Sequence, residues 1–182
     1  MRYEKTVVLK NGKSCILRSG RGDDAKAVCD IFRKTHQETD FLLSYPEEGG
    51  MTEESERQFL EEKEQSDRAV EICAFLDGHL AGFAGIDAVG GKEKIRHRAE
   101  FGISVEKAYW RLGIGRELTL ACIECAKKAG YSQVELDVVA DNSRAVSLYE
   151  SVGFREYGRN PRGFRSRVSG WQELVLMRLE LD

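Results

Sequence analysis

A helical segment flanked by two strand-like segments constrains this chain more than any other feature of its sequence. The helix is predicted over residues 113–129, where apolar side chains recur along one face and Gly130 ends the pattern. Residues 99–105 before it read as a strand, and residues 133–138 after it alternate between polar and apolar side chains. Two strands joined through a helix need a parallel pair, so the second half of the chain predicts a β-α-β unit.

Turn signals elsewhere predict hairpins, which require antiparallel pairs. Asn11-Gly12 and Asp77-Gly78 each separate two strand-like runs. The remaining predicted elements are helices over 23–36, after an N-cap at Thr52 and over 143–152, and strands at 70–75, 80–89, 154–157 and 171–181. The order ββ, αα, βββ, α, β, α, ββ predicts one α/β domain over residues 1–182, with a mixed sheet and helices on both faces.

Composition limits the class of protein. The 182 residues suit one domain, and 41% hydrophobic with 32% charged residues is typical of a soluble globular chain. Apolar runs fall short of the roughly 20 residues that span a bilayer, and the N-terminus lacks a signal-peptide pattern, so we expect a cytoplasmic protein without a membrane partner. The net charge of −3 argues against nucleic acid as a partner.

The five cysteines are expected to be free thiols. Their number is odd and no export signal accompanies them. Cys122 and Cys125 have a spacing seen in zinc sites, yet both fall on the apolar face of the predicted helix and no second pair exists. We therefore predict core packing for both, and no metal.

The start of the long helix predicts an anion site. The first N–H groups of a helix lack internal acceptors, and Gly113 and Gly115 would let a diphosphate approach the backbone, with Arg111 and Arg116 adding charge. A dinucleotide fingerprint would need a glycine at Leu118, and a P-loop lysine is absent. The motif alone therefore also fits an ordinary glycine-rich helix start.

A second motif follows one strand later. Asn142 suits a helix cap, Leu148 and Tyr149 would face the core, and Gly153-Phe154 would end the helix and begin a strand. Taken alone, Tyr149 fits a packed aromatic residue better than a catalytic one.

Together the two motifs resemble the GCN5-related N-acetyltransferase (GNAT) family, although only residues 99–155 carry specific signals. The resemblance implies a mixed, mostly antiparallel sheet of six to seven strands, about four helices on both faces, and splayed central strands. The sequence departs from the family at Trp110, where Gln or Arg is usual.

The resemblance also implies a reaction and its residues. Acetyl-CoA would be the cosubstrate, and a primary amine of a small molecule or a peptide would attack its thioester directly in a ternary complex. Tyr149 would protonate the thiolate, and Glu100 is the candidate base, with His97 as the second choice. The residues implied for coenzyme binding are Ile103, Val105, Arg111, Leu112, Gly113, Ile114, Gly115, Arg116, Asn142, Arg144 and Tyr149.

The acceptor is left open by the sequence. By analogy with the family, it would lie among residues 39–50, the acidic helix near 52–64 and a final loop over 158–170. Phe41, Tyr45, Phe164 and Trp171 are the candidate walls, but the acidic helix and four arginines in the final loop point to opposite acceptor charges. A non-catalytic acyl-CoA-binding regulatory module is the alternative function. Family members often form homodimers, so a homodimer is a further expectation.

Overall fold

The computed structural model describes residues 1–48 and 51–181. It confirms the predicted element order and adds short 3₁₀ turns at Gly22–Asp24 and Lys107–Tyr109. The strands are β1 (Glu4–Val8), β2 (Ser14–Ser19), β3 (Val70–Leu76), β4 (His79–Ala88), β5 (Arg98–Val105), β6 (Gln133–Val139), β7 (Arg155–Ser166) and β8 (Gly170–Glu180). The helices are α1 (Ala25–Glu38), α2 (Glu53–Gln65), α3 (Ile114–Lys128) and α4 (Ser143–Ser151).

The strands form one mixed sheet in the order β1-β2-β3-β4-β5-β6-β8-β7. Every neighbouring pair is antiparallel except β5 and β6, which are parallel and are joined through α3. The sheet has eight strands rather than six or seven. The N-terminal hairpin accounts for the difference, because β1 extends the edge of the sheet and pairs only with β2.

Each face of the sheet carries its own apolar cluster. The larger cluster contains the inward side chains of α3, among them the fully buried Leu118, Cys122 and Cys125, and it reaches Tyr149 of α4. The smaller cluster joins α1 and α2 to the opposite face through residues such as Ile31 and Leu60. The predicted core packing of the two cysteines is therefore confirmed.

The helix ends follow from local chemistry. The Thr52 hydroxyl accepts a hydrogen bond from the Ser55 N–H at 3.1 Å and caps α2, as predicted. Two glycines in the left-handed region flank α3, Gly113 with φ 102° and Gly130 with φ 74°. No helix in the described residues is long and apolar enough to cross a membrane.

The C-terminal hairpin is longer than the sequence predicts. Its first strand runs to Ser166, so most of the segment expected as a loop over 158–170 is strand. Gly158, Pro161 and Gly163 suggested a loop, but β7 is an edge strand, where proline is tolerated and bulges absorb irregular residues. The ladder shifts register between Glu156 and Gly158 and again between Asn160 and Phe164.

Truncation of Leu118 tests the main core. Leu118 is fully buried in the larger cluster, so Leu118→Ala should lower the free energy of unfolding by about 2–5 kcal/mol. Leu43→Ala is the matched control, because that side chain is 91% exposed and its loss should change stability by less than about 0.5 kcal/mol. Equal losses in urea denaturation would contradict this assignment of the core.

Candidate functional site

The central strands β5 and β6 separate along their length. They pair only at Arg98↔Gln133, Ala99↔Val134 and Glu100↔Glu135. Beyond that point β5 continues its ladder with β4, and β6 continues its ladder with β8. The space between residues 101–105 of β5 and 136–139 of β6, here called the wedge, therefore opens toward the carboxyl ends of both strands.

Backbone groups of β5 face into the wedge. The backbone carbonyl of Arg98 accepts from the Val89 N–H on the β4 side, whereas the carbonyl of His97 accepts from the Ser132 N–H on the β6 side. The N–H and C=O groups of successive residues point to alternate edges of a strand, so those of Ile103 and Val105, like those of His97, point to the β6 side and therefore into the wedge. The Trp110 indole N–H donates to the Val105 carbonyl at 2.7 Å, which leaves the Val105 N–H and both Ile103 groups facing the gap.

A helix start lies at the open end of the wedge. Arg111 has φ 69° and Gly113 has φ 102°, so the chain turns sharply into α3. The first bond within the helix runs from the Glu117 N–H to the Gly113 carbonyl at 3.1 Å, so the N–H groups of residues 114–116 have no helical acceptor. The Leu112 carbonyl accepts from the Lys10 N–H at 3.0 Å, which fixes this turn against the β1–β2 hairpin. The arrangement is suited to an anion.

The start of α4 forms the other side of this opening. The Asn142 side chain caps α4 by accepting from the Ala145 N–H at 3.3 Å. The Arg144 guanidinium lies 4.6 Å from the centre of the Trp110 ring. Trp110, the residue that departs from the family pattern, thus joins the two segments at the mouth of the wedge through a cation–π contact.

Tyr149 lies below the wedge on the α3/α4 face. Its ring meets Phe101 of β5 edge-on, with centroids 6.0 Å apart, and lies 5.9 Å from Phe154. Burial raises the pKa of the Tyr149 phenol to about 12, so the hydroxyl keeps its proton at neutral pH. This hydroxyl has no hydrogen-bond partner among the described residues, which leaves it available to a bound molecule.

Carboxylates line the wedge on the opposite face, where α1 and α2 pack. Glu100 and Glu135 are paired across β5 and β6, and Arg98 donates to both Glu135 oxygens at 2.5 and 2.7 Å. Asp137 lies two residues beyond Glu135, so it shares that face at the open part of the wedge. Asp137 is solvent-exposed, but partial desolvation by the neighbouring chain and then the Glu135 charge raise its pKa.

Asp137 is not among the site residues predicted from the sequence. In the sequence it is only a polar position in an alternating strand, and alternation does not reveal which strand edge borders a gap. The one signal available was its position on the strand that leads directly to the Asn142 motif. Glu100 is exposed and, within the described residues, makes no ion pair or side-chain hydrogen bond.

His97 lies away from the open end of the wedge. It lines a surface depression of about 370 Å³ at the start of β5, with Arg98, Glu135, Tyr157 and Arg178 among its neighbours. The paired ends of β5 and β6 separate it from the part of the wedge that Tyr149 underlies.

The predicted acceptor walls do not form one surface. Phe164 pairs with Gln172, and Arg165 pairs with Trp171, so Phe164 and Trp171 lie on opposite faces of the hairpin. Phe41 is partly exposed, and the Tyr45 hydroxyl accepts from the Arg167 N–H at 2.5 Å. Gly49 and Gly50 of the expected acceptor segment lie outside the described residues.

Two of the four arginines of the C-terminal hairpin are neutralised by carboxylates. Arg159 bonds to Glu156 and Glu173, and Arg167 pairs with Glu47. Arg162 and Arg165 are exposed and lie 5.6 and 5.0 Å from the Trp171 ring centre, without an ion pair among the described residues. The basic surface expected from the sequence is therefore smaller and is centred on Trp171.

Comparisons with known proteins agree with this geometry. The model of the Acetyltransferase (GNAT) family matches residues 26–154. The chain belongs to the GNAT acetyltransferase family. It is 30% identical over 118 residues to ribosomal protein bS18-alanine N-acetyltransferase of Escherichia coli K12, a match that covers 65% of this chain and 76% of that enzyme.

Solved structures of the family share the whole fold. The GNAT acetyltransferase of Streptococcus pneumoniae has a TM-score of 0.88 at 28% identity and covers 92% of this chain and 99% of its own. The structure of yncA from Salmonella typhimurium, solved with its cofactor acetyl-CoA, has a TM-score of 0.81 at 20% identity, covering 91% and 93%. This GNAT chain is thus an acyltransferase with the splayed mixed sheet of its family.

Two glycines at opposite ends of α3 allow a matched test of the anion site. Gly113→Ala and Gly130→Ala both place a side chain at positive φ without a close contact, and each should cost about 1–2 kcal/mol of stability. Only Gly113→Ala disturbs the free amides, so it alone should weaken acetyl-CoA binding, by about tenfold for one lost charged hydrogen bond. Equal calorimetric dissociation constants for the two variants would contradict the site.

Proposed function

We propose that this enzyme transfers the acetyl group of acetyl-CoA to a primary amine of a small molecule or a peptide by direct attack. One observation carries the proposal: strand-like backbone groups line a wedge whose open end meets the unbonded amides of a helix start. An extended pantetheine arm with an amide at each end of its β-alanine unit needs the first feature, and its diphosphate needs the second.

Coenzyme binding divides among three segments. Ile103 and the Val105 N–H would pair with pantetheine as a neighbouring strand does. The amides of residues 111–116, with the side chains of Arg111 and Arg116, would hold the diphosphate. Asn142 and Arg144 would border the coenzyme on its α4 side, where Arg144 already rests on Trp110.

The chemistry requires three proton transfers. An alkylammonium with a pKa of about 10 must lose a proton before it attacks, the same nitrogen must lose a second proton once it is bonded to the carbonyl carbon, and the departing thiolate must gain one. Glu100 and Asp137 lie on the α1/α2 face of the wedge, where either can take the first proton, and Asp137 is a stronger base than an ordinary aspartate because its pKa is raised. Tyr149 would protonate the thiolate from the α3/α4 face, and the second proton of the nitrogen would then return to the phenolate. A β5 N–H would stabilise the oxyanion.

The α1/α2 face of the wedge suits an acceptor amine that arrives as a cation. Glu100 and Asp137 are carboxylates without ion-pair partners in the described chain. The E. coli relative is named for acetylation of a ribosomal protein alanine, which supports a peptide amine as one acceptor class. A panel should therefore include peptide N-termini and small alkylamines, with thiol release from acetyl-CoA as the measurement.

Tyr149→Phe separates an enzyme from a regulatory acyl-CoA-binding module. Loss of the proton donor should lower kcat at least about 100-fold, while the dissociation constant of acetyl-CoA stays within about twofold. Tyr131→Phe is the matched control, since its hydroxyl donates to the Arg68 carbonyl outside the wedge. Tight binding of acetyl-CoA by the wild type with no thiol release over the whole panel would instead favour the regulatory module.

The pH dependence identifies the base. Asp137 is protonated at a higher pH than an ordinary aspartate, so its basic form is lost as pH falls through that raised value and activity should decline on the acid side. Asp137→Asn should lower kcat by about 100-fold and remove this acid limb, whereas Glu100→Gln should keep it. The reverse pattern in kcat-versus-pH profiles would assign the base to Glu100.

A further inference from the structure

Glu71 of β3 carries a buried carboxyl on the α1/α2 face of the sheet, the same face of the wedge as Glu100 and Asp137. Glu71 pairs with Gly85 of β4, and Gly85 pairs with Gly102 of β5. A Cβ built on Gly85 would collide with a Glu71 carboxylate oxygen, so this carboxyl lies directly over Gly85. A Cβ built on Gly102 meets nothing within 4 Å. The carboxyl therefore borders an open space on the strand that forms one edge of the wedge.

Glu71 has no ion-pair or hydrogen-bond partner among the described side chains, although the residue is only 9% exposed. The Lys63 charge acts on Glu71, but the Lys63 ammonium pairs with Asp87 and donates to the Ile86 carbonyl at 3.4 Å. The charged groups around it are Glu56 and Lys63 of α2, Asp87 of β4, Glu100 of β5 and the Arg18–Asp24 pair beside Cys73. Carboxylates outnumber cations in this cluster.

We propose that Glu71 and the open space over Gly102, here called the ammonium site, bind the attacking nitrogen of the acceptor while it is still an ammonium ion. This inference rests on the proposed function and narrows its acceptor to amines that are cationic at neutral pH. As the ammonium binds, Glu71 releases its own proton to water and its carboxylate pairs with the cation. One proton then passes from the nitrogen to Asp137, and the neutral nitrogen attacks the thioester. Alkylamines and peptide N-termini fit this description, whereas arylamines do not, because they are neutral at that pH.

The isolated carboxyl weakens the fold, which argues against a purely structural role. Burial raises the pKa of Glu71 to about 8 from 4.5. The folded protein thus binds the proton more strongly than the unfolded chain, so stability contributed below pH 4.5 is lost as pH rises to 8. A residue that lowers stability at working pH is typical of a binding site. Glu71→Gln should remove this pH-dependent loss.

Amide NMR tests the ammonium site without enzyme turnover. With coenzyme A bound, n-butylammonium should shift the Gly85 and Gly102 amide signals to saturation, and 1-butanol of the same shape should not. Glu71→Gln should weaken butylammonium binding at least tenfold, whereas Glu56→Gln, which removes another buried carboxyl of the cluster, should change it less than twofold. Equal butylammonium affinity in the wild type and Glu71→Gln would overturn the proposal.

Steady-state kinetics give a second test. Glu71→Gln should lower kcat/KM for an alkylamine at least tenfold relative to an arylamine. Gly102→Ala, which fills the open space, should raise KM for every amine without changing acetyl-CoA affinity. Equal losses for alkylamine and arylamine in Glu71→Gln would contradict the ammonium site. Absence of acetyl transfer by the wild type would contradict the proposed function instead. The butylammonium titration would then still show whether the ammonium site exists.

Discussion

The short parallel contact between β5 and β6 is the constraint on which the rest of the site depends. Three residue pairs hold the strands together, and the double hydrogen bond from Arg98 to Glu135 lies at this closed end. Beyond it, each strand keeps only its outer neighbour, so backbone groups that a continuous sheet would satisfy internally face the wedge. An unpaired strand edge normally invites another strand. Here the edge is enclosed within the sheet, where only a narrow extended molecule can reach it.

The wedge also connects two faces that a continuous sheet would separate. Tyr149 packs on Phe101 from the α3/α4 side, whereas Glu100 and Asp137 belong to the α1/α2 side. In the proposed mechanism, the proton donor and the proton acceptors therefore act on one reacting group from opposite directions without neutralising each other. Desolvation is the main cause of the raised pKa of both groups, by full burial at Tyr149 and by partial loss of hydration at the exposed Asp137, and it favours the uncharged form of each.

Glycines have distinct structural tasks around the wedge. Gly113 provides the left-handed turn that aims helix amides at the mouth, and no other residue type adopts that conformation as readily. Gly85 and Gly102 act through missing side chains: one admits the Glu71 carboxyl, and the other leaves open space beside it. Trp110 donates to the Val105 carbonyl and supports the Arg144 guanidinium, so this side chain joins β5 to the start of α4.

The sequence by itself determined the element order, the two motifs at the mouth of the wedge and the buried position of Tyr149, because these depend on local periodicity and on glycine and cap positions. It could not single out Asp137 or Glu71, the two residues that the proposals add to the site, since alternation shows which side chains share a face but not which strands stand next to each other. The length of β7 and the opposite orientations of Phe164 and Trp171 also required the tertiary structure. Register and bulges in the C-terminal hairpin decide them, and both depend on pairing with β8 rather than on local sequence.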